Sequence, residues 1–530
     1  MNVDYIIVGA GSAGSVLANR LSADPGTTVA LVEAGGWDWS PFIHIPAAII
    51  KAIGNPSLDW CYLAEPDASR ESKRDLWPAG RTLGGSSSIN GMLFVRGQPA
   101  DFDRWQQDGC DGWSYEDVLP YFKRLESTDI GADAERGRTG PQRVGALRSI
   151  HPLAHTFVEA AVARGISHND DYNGASQLGV AYSQVSQWRG QRFSASRAFL
   201  WPVRRRRNLA IVTGARCQRI VFDKSRASGV EVLRRGQQQR LTARRAVVVS
   251  AGAMGSPKLL QLSGIGAADS LATLKIPVVV DNPHVGAHLA DHPTAMVGID
   301  VNVPTYNTEI NSWKIALHVL RWAWQGRGPA TSPYPHAIAF LKSAQELAHP
   351  DIQVQLGPYA FSFSEDGVIP YDKPAISAAV NLSYPSNEGS VTLRSADPAE
   401  LPQIDHQLLQ SDTDVRRLAD ACEQVRGIFA DARFDPYRVG ERLPGPTVKS
   451  PADWAAYLRR TTFLGYHGVS TCRMGSDDAG VVDNEFRVHG VDGLRVIDAS
   501  AMPSLISGNT NATVMMMAEK GADLLRATEG

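Results

Sequence analysis

Three glycines and one glutamate carry the first recognisable chemistry in this chain. Gly9, Gly11 and Gly14 follow the run from Asp4 to Val8 in the spacing G-x-G-x-x-G. Gly9 would permit a tight turn, Gly11 would let a pyrophosphate reach the backbone, and Gly14 would let a helix pack closely on the strand. Glu33 lies nineteen residues after Gly14 and ends a second apolar run, where its carboxylate can accept from ribose hydroxyls. Together these residues point to a bound adenine dinucleotide, with NAD and FAD both open. Proton transfer has thirteen histidines to draw on. Their ordinary pKa of about 6.5 suits a base at working pH, but spacing alone does not choose among them; His489, on an expected strand edge, reads as structural. The five cysteines, Cys61, Cys110, Cys217, Cys422 and Cys472, form no C-x-x-C pair, so no metal site, redox dithiol or disulfide framework is expected, and a reducing compartment fits best.

The elements that must position these residues are legible nearby. Residues 6–8 read as a buried parallel strand and 13–21 as a helix whose N-terminus aims its free N–H groups at phosphate. Residues 28–33 read as the second strand. Further strands are expected at 209–213, 219–222, 229–232 and 246–250, the last running into a second glycine-bearing turn at Ala251-Gly252-Ala253. Residues 151–195 and 298–463 are richer in Pro, Trp, Tyr and His, with short strands such as 390–393. The expected fold is mixed α/β and α+β. A Rossmann-like dinucleotide domain (1–150, 196–297 and 464–530) is interleaved with a substrate-binding domain (151–195 and 298–463), an antiparallel sheet flanked by helices. An active site is expected at their junction.

At 530 residues the chain exceeds what one core usually serves. Its 43% hydrophobic and 20% charged residues are those of an ordinary globular enzyme. The formal net charge of −2 gives no electrostatic reason to expect nucleic acid or an anionic membrane as partner. Arg204 to Arg207 read as a solvated helix end. No signal peptide is expected ahead of the first strand, and no apolar run approaches the roughly 20 residues that cross a bilayer. A cytoplasmic protein without a transmembrane segment is therefore expected, with peripheral membrane association left open.

Three more stretches carry a family resemblance. Gly80-Arg81-Thr82-Leu83-Gly84-Gly85-Ser86-Ser87-Ser88-Ile89-Asn90-Gly91 resembles the first signature of the glucose–methanol–choline (GMC) flavoprotein oxidoreductases. Gly252-Ala253-Met254-Gly255-Ser256-Pro257, continuing to Gly266, resembles their second. Tyr466-His467, Thr471 to Gly475, Val496 to Ser500 and Gly508 to Ala512 resemble their C-terminal active-site segment. Within the family the chain is most similar to bacterial alcohol, choline and sorbose dehydrogenase-like members.

The resemblance implies FAD rather than NAD. It also implies oxidation of an alcohol to a carbonyl by proton abstraction and hydride transfer to flavin N5, with O2 or a quinone-like acceptor reoxidising the flavin. His467 would be the base and Asn509 would orient the substrate oxygen. The implied cofactor contacts are Gly9, Gly11, Ser12, Ala13, Gly14, Glu33, Ala34, Leu83, Gly85, Asn90, Gly91, Met92, Leu93, Cys217, Tyr466, Asp498, Ala499, Asn511 and Thr513. For Asp498 a helix N-cap is the alternative, and for Asn511 backbone support. Some members bind flavin covalently through a histidine whose place here is taken by Ile89, so the FAD is expected to be non-covalent. Where choline-type members carry a glutamate after a Gly-Pro turn, this chain has His336, which argues against a quaternary ammonium substrate. Tyr334, His336, Tyr359, Phe361 and Phe363 are candidates for the substrate pocket. The alternative function is a non-redox lyase of the hydroxynitrile lyase type, and the oligomeric state is left open.

Overall fold

The computed structural model describes residues 1–309, 313–364, 367–476 and 479–527. Its first sheet has a parallel core in the order Leu209–Val212, Val29–Val32, Asn2–Val8, Gln237–Val249, with Leu494–Val496 beside the end of the last. Ile6, Ile7, Ala30, Leu31, Val247 and Val248 are fully buried. Their runs do not alternate because elements cover both faces of a parallel sheet. Gln237–Val249 shows both regimes in one strand. Its first four residues, paired with Arg226–Arg234 of the antiparallel ribbon that Ala215–Asp223 completes, are all exposed, and its last four are all buried in the parallel core.

The helix Ser12–Leu21 leaves the first strand through the glycine turn and packs against the C-terminal helix Asn511–Ala527. The pairing has polar pins as well as apolar contact: Ser12 Oγ donates to Asn511 Oδ1 at 2.6 Å. The buried Glu519 receives Arg20 at 2.6 Å and Arg124 at 2.9 Å. Two segments about five hundred residues apart are thereby held at one end of the sheet. Arg204 to Arg207 lie in a turn after the helical segment Ser196–Leu200, and Arg205 and Arg207 are exposed.

The second sheet is antiparallel throughout, in the order Arg438–Leu443, Pro293–Val301, Ala375–Leu382, Ile352–Gly357, Ala337–Leu341, Gly179–Tyr182. Its strand at 293 begins five residues before the boundary expected at 298, because Pro293 and Thr294 are already paired with Leu464 and Phe463. Side-chain alternation divides the work of this sheet. Ile352, Val354, Leu356, Ala378, Val380 and Leu382 join the core that includes the helices Pro152–Ala163 and Asp412–Phe429. Their neighbours Gln353, Gln355, Ala379 and Asn381 face the other way. Gln355, Ala379 and Asn381, with Thr294, line a cavity between the two sheets.

Candidate active site

The cavity has a volume of about 450 Å³ and is walled by both halves of the molecule. At the fingerprint, Gly9 has φ of 101°, and a Cβ there would lie 2.3 Å from the Ser250 carbonyl oxygen. A Cβ on Gly14 would lie 1.9 Å from the Gly9 oxygen, the close helix–strand contact expected of the third glycine. Gly11 faces Gly85 of the first signature, where a Cβ on Gly85 would lie 2.6 Å from the Gly11 Cα. The two glycine loops therefore meet backbone to backbone. Glu33 Oε2 accepts from Ala10 N–H at 2.9 Å and Oε1 from Gly35 N–H at 2.8 Å. Burial nonetheless pushes its carboxyl up to about 7.

The expected site residues fall into two groups. Gly9, Gly11, Ser12, Ala13, Glu33, Ala34, Gly85, Asn90, Gly91, Met92, Leu93, Cys217, Tyr466, Asp498, Ala499 and Asn511 line the cavity, as do His467, Asn509, Tyr334 and Phe361. Gly14, Leu83, Thr513, Tyr359 and His336 are not among its lining residues. Leu83 is fully buried, and Thr513 Oγ1 donates to the Arg96 carbonyl at 2.9 Å, so both sit behind the wall. Tyr359 is buried behind Phe361, ring centroids 5.5 Å apart. His336 is turned away, its Nδ1 accepting from His151 N–H at 3.0 Å and its Nε2 held by Ser332 Oγ. It does not occupy a substrate-facing position. The side chain of Phe363 lies outside the described residues. Asp498 both lines the cavity and caps: Oδ1 accepts from Ser500 N–H and Oδ2 from Gly252 N–H, each at 2.8 Å.

His467 sits in the loop after Phe463–Leu464, and Asp291 sets its path. That carboxylate accepts N–H from His292 at 2.8 Å, Tyr466 at 3.0 Å and His467 at 2.7 Å, while Tyr466 turns the chain with φ of 63°. Burial pushes Asp291 up to about 7.

A hydrogen-bond chain then fixes the protons. His292 Nε2 lies 3.0 Å from the Ile506 carbonyl, which only accepts, so this nitrogen carries the hydrogen. Burial drives the His292 pKa down to about 4, leaving Nδ1 bare. Nδ1 of His292 therefore accepts from Nδ1–H of His467 at 2.9 Å. Nε2 of His467 is left with its lone pair and accepts from Asn509 Nδ2 at 2.7 Å. Asn509 is oriented in turn by Gln353 Nε2, which donates to its Oδ1 at 3.0 Å. Burial, then the neighbouring His292, hold His467 well below the ordinary histidine value. Ligand atoms of Asp291, His292 and His467 lie within 4.8 Å of one another; in this arrangement they serve the hydrogen bonds just described.

Asp291, His292 and Gln353 were not picked out from the sequence. His292 is one of thirteen histidines with no motif of its own, although the Asp291-His292 pair just before an expected domain boundary was a visible signal. Gln353 was masked by its place in an alternating strand.

Two family profiles, both described as GMC oxidoreductase, match residues 3–294 and 385–518. The chain belongs to the GMC oxidoreductase family. It is 42% identical, over 99% of its length and 95% of the relative's, to an oxygen-dependent choline dehydrogenase of Sinorhizobium fredii. Among solved structures, pyridoxine 4-oxidase from Mesorbium loti superposes with a TM-score of 0.90 at 32% identity, covering 98% of this chain and 99% of that one. A formate oxidase of Aspergillus oryzae, studied for the effect of a mutation on FAD modification, gives 0.91 at 25% identity over 100% and 98%. The GMC chain described here is an FAD-dependent alcohol oxidoreductase with the family's two-domain fold. Nothing in these matches supports the non-redox lyase alternative. The glycine cradle and Glu33, which line the cavity, fit the adenosine and pyrophosphate of FAD.

Proposed function

We propose that His467 is the base that takes the hydroxyl proton of a small uncharged alcohol, and that Asn509 holds the substrate oxygen. The observation that carries this reading is the bare Nε2 of His467 facing the Asn509 amide in the cavity. A hydroxyl that displaces this hydrogen bond would donate to His467 and accept from Asn509, satisfying both groups as charge develops on oxygen. FAD, when bound, supplies the two-electron acceptor for the hydride. The first sheet with its helices is read as the cofactor domain and the second as the substrate domain. Ile89 lines the cavity and offers no nucleophile, which supports non-covalent FAD. Acid precipitation tests this: colour left in the pellet would overturn it.

The preference for an uncharged substrate needs a different reason from the one drawn from His336, which is turned away. The carboxylates lining the cavity are Glu33 and Asp498, and both are engaged by backbone N–H groups. No carboxylate among the described residues is left there to pair with a cation. The choline-type reading has its own support, because Trp60, Tyr62, Trp77, Tyr334, Phe361 and Phe463 give the cavity aromatic walls that suit a quaternary ammonium. Anaerobic mixing of the holoenzyme with choline and with neutral primary and secondary alcohols decides. Faster flavin bleaching by neutral alcohols supports the proposal, and preference for choline overturns it. Admitting air afterwards separates oxygen from a quinone-like molecule as acceptor.

A further inference from the structure

The helix Lys314–Gln325 buries none of its side chains. Trp313, Leu317, Leu320 and Trp324 recur at i, i+4, i+7 and i+11, which places them on one face. They are 75%, 51%, 66% and 89% exposed. The opposite side is anchored, since Trp322 Nε1 donates to the Gly190 carbonyl at 2.6 Å.

Two other exposed aromatic segments adjoin it. The hairpin carrying the exposed Trp188 closes at Gly190, where a Cβ would lie 2.5 Å from the Gly326 oxygen. The same hairpin is tied to the segment bearing exposed Trp39 and Phe42, through Arg192 Nε donating to the Ile43 carbonyl at 2.9 Å. The helical turn Pro46–Lys51, next along that segment, packs on Pro329–Thr331, which packs on the helix. The three segments thus adjoin one another.

Their charge is as unusual as their apolarity. Asp and Glu make up 55 of 530 residues, about one in ten, yet residues 39–53, 187–192 and 313–327 contain none. Lys51, Arg189, Arg321 and Arg327 are exposed there, and Arg143 stacks on Trp188 at 4.8 Å. Glu309, just before the helix, is engaged by Lys314 at 3.0 Å and His318 at 2.6 Å.

We propose that this face docks on the surface of an anionic lipid bilayer. Tryptophan and leucine seat in the interfacial region while the basic side chains reach phosphate headgroups. A second copy of the chain is a poorer occupant, because two such faces would bring like charges together. The overall charge of −2 conceals this local excess. Among the described residues no helix is long and apolar enough to cross the membrane, so the contact is peripheral. Ile49 of the turn Pro46–Lys51 also lines the cavity, so the docked face adjoins the active-site cavity.

Flotation of the holoenzyme with phosphatidylcholine vesicles, and with vesicles containing about one-third phosphatidylglycerol, tests the proposal. Binding should be confined largely to the anionic vesicles, fall with added salt, and drop at least tenfold in the Leu320→Glu/Trp324→Glu double variant. Both residues are far too exposed to threaten folding, and turnover with a soluble dye acceptor should be unchanged. Absence of flotation, equal flotation with neutral vesicles, or a concentration-dependent dimer that the double variant abolishes would each overturn it.

Discussion

Replacing His292 by leucine tests whether the hydrogen-bond chain, rather than His467 alone, makes the base. His292 Nδ1 is the acceptor that keeps the proton of His467 on Nδ1, at 2.9 Å. Without it, His467 either leaves a buried N–H unpaired or shifts the proton to Nε2. Leaving a buried donor unmet costs about 1–3 kcal/mol. The shifted tautomer escapes that cost but points N–H at N–H, since Asn509 already donates to Nε2 at 2.7 Å. Turning the Asn509 amide to relieve this breaks its bond from Gln353 at 3.0 Å. The productive tautomer thus loses roughly 1.4–2.8 kcal/mol, a ten- to hundredfold fall in kcat/KM, carried mainly by kcat. His292→Asn is the informative partner, because its Oδ1 lies near the place of the lost Nδ1 and can accept from His467. Steady-state kinetics, with flavin content checked by absorbance, should rank wild type above Asn and Asn well above Leu. Equal activity of the Leu and Asn variants, or a Leu variant as active as wild type, would refute the reasoning.

His467→Ala should keep its flavin and its fold while losing about 10²–10⁴ in kcat/KM, the usual worth of a positioned base; a smaller loss would move the base elsewhere. The wild-type pH profile carries a matching sign. Because burial lowers the His467 pKa, the base stays deprotonated through neutrality, and kcat/KM should fall only as pH drops below about 6.5, the ordinary histidine value. An acid limb centred above 7 would contradict this. Gln353→Leu should reduce kcat about tenfold with little change in flavin content, the effect of losing one orienting hydrogen bond; unchanged kcat would make Gln353 a bystander. Gly14→Ala places a methyl 1.9 Å from the Gly9 oxygen, so the helix must move off the strand. Thermal melting followed by flavin fluorescence should show earlier flavin release and a loss of about 1–3 kcal/mol or more.

The parts read correctly from sequence are those whose physics is local. The strand–glycine–helix–strand unit from Asn2 to Val32 is written within some thirty consecutive residues, and Gly9 turns the chain with φ of 101° while Gly14 lets the helix close on the strand, as their spacing implied. The strand at 209–212 and the buried end of 237–249 were legible as runs of apolar residues bounded by turns, whereas the polar start of that last strand, 237–245, and the full lengths of 215–223 and 226–234 were not. What the sequence concealed is long-range. The orientation of His467 depends on His292, 175 positions earlier, and that of Asn509 on Gln353, 156 positions earlier. Neither pairing has a periodicity to betray it. His336 shows the opposite case: its place after a Gly-Pro turn suggests the pocket, yet the chain rotates it into bonds with His151 and Ser332. A one-residue difference in a loop is enough to exchange wall for interior, and Pro335 and Tyr334 line the cavity instead.

The low pKa of His467 raises an apparent difficulty, because a weaker base has less drive to take a proton from an alcohol. The geometry answers it through what the substrate must displace. The Asn509 amide hydrogen is directed to the His467 lone pair. A hydroxyl entering between them gives its own hydrogen to that lone pair and takes the Asn509 hydrogen onto its oxygen. Both polar groups are paired again once the hydroxyl has displaced their mutual bond. The same donor then strengthens as negative charge grows on oxygen, lowering the effective acidity barrier at the moment the proton leaves. A strongly basic histidine would instead be protonated near neutrality and arrive with no lone pair to offer. Burial beside a neutral His292 therefore trades basic strength for availability, and Asn509 returns the lost strength only when a substrate oxygen is in place.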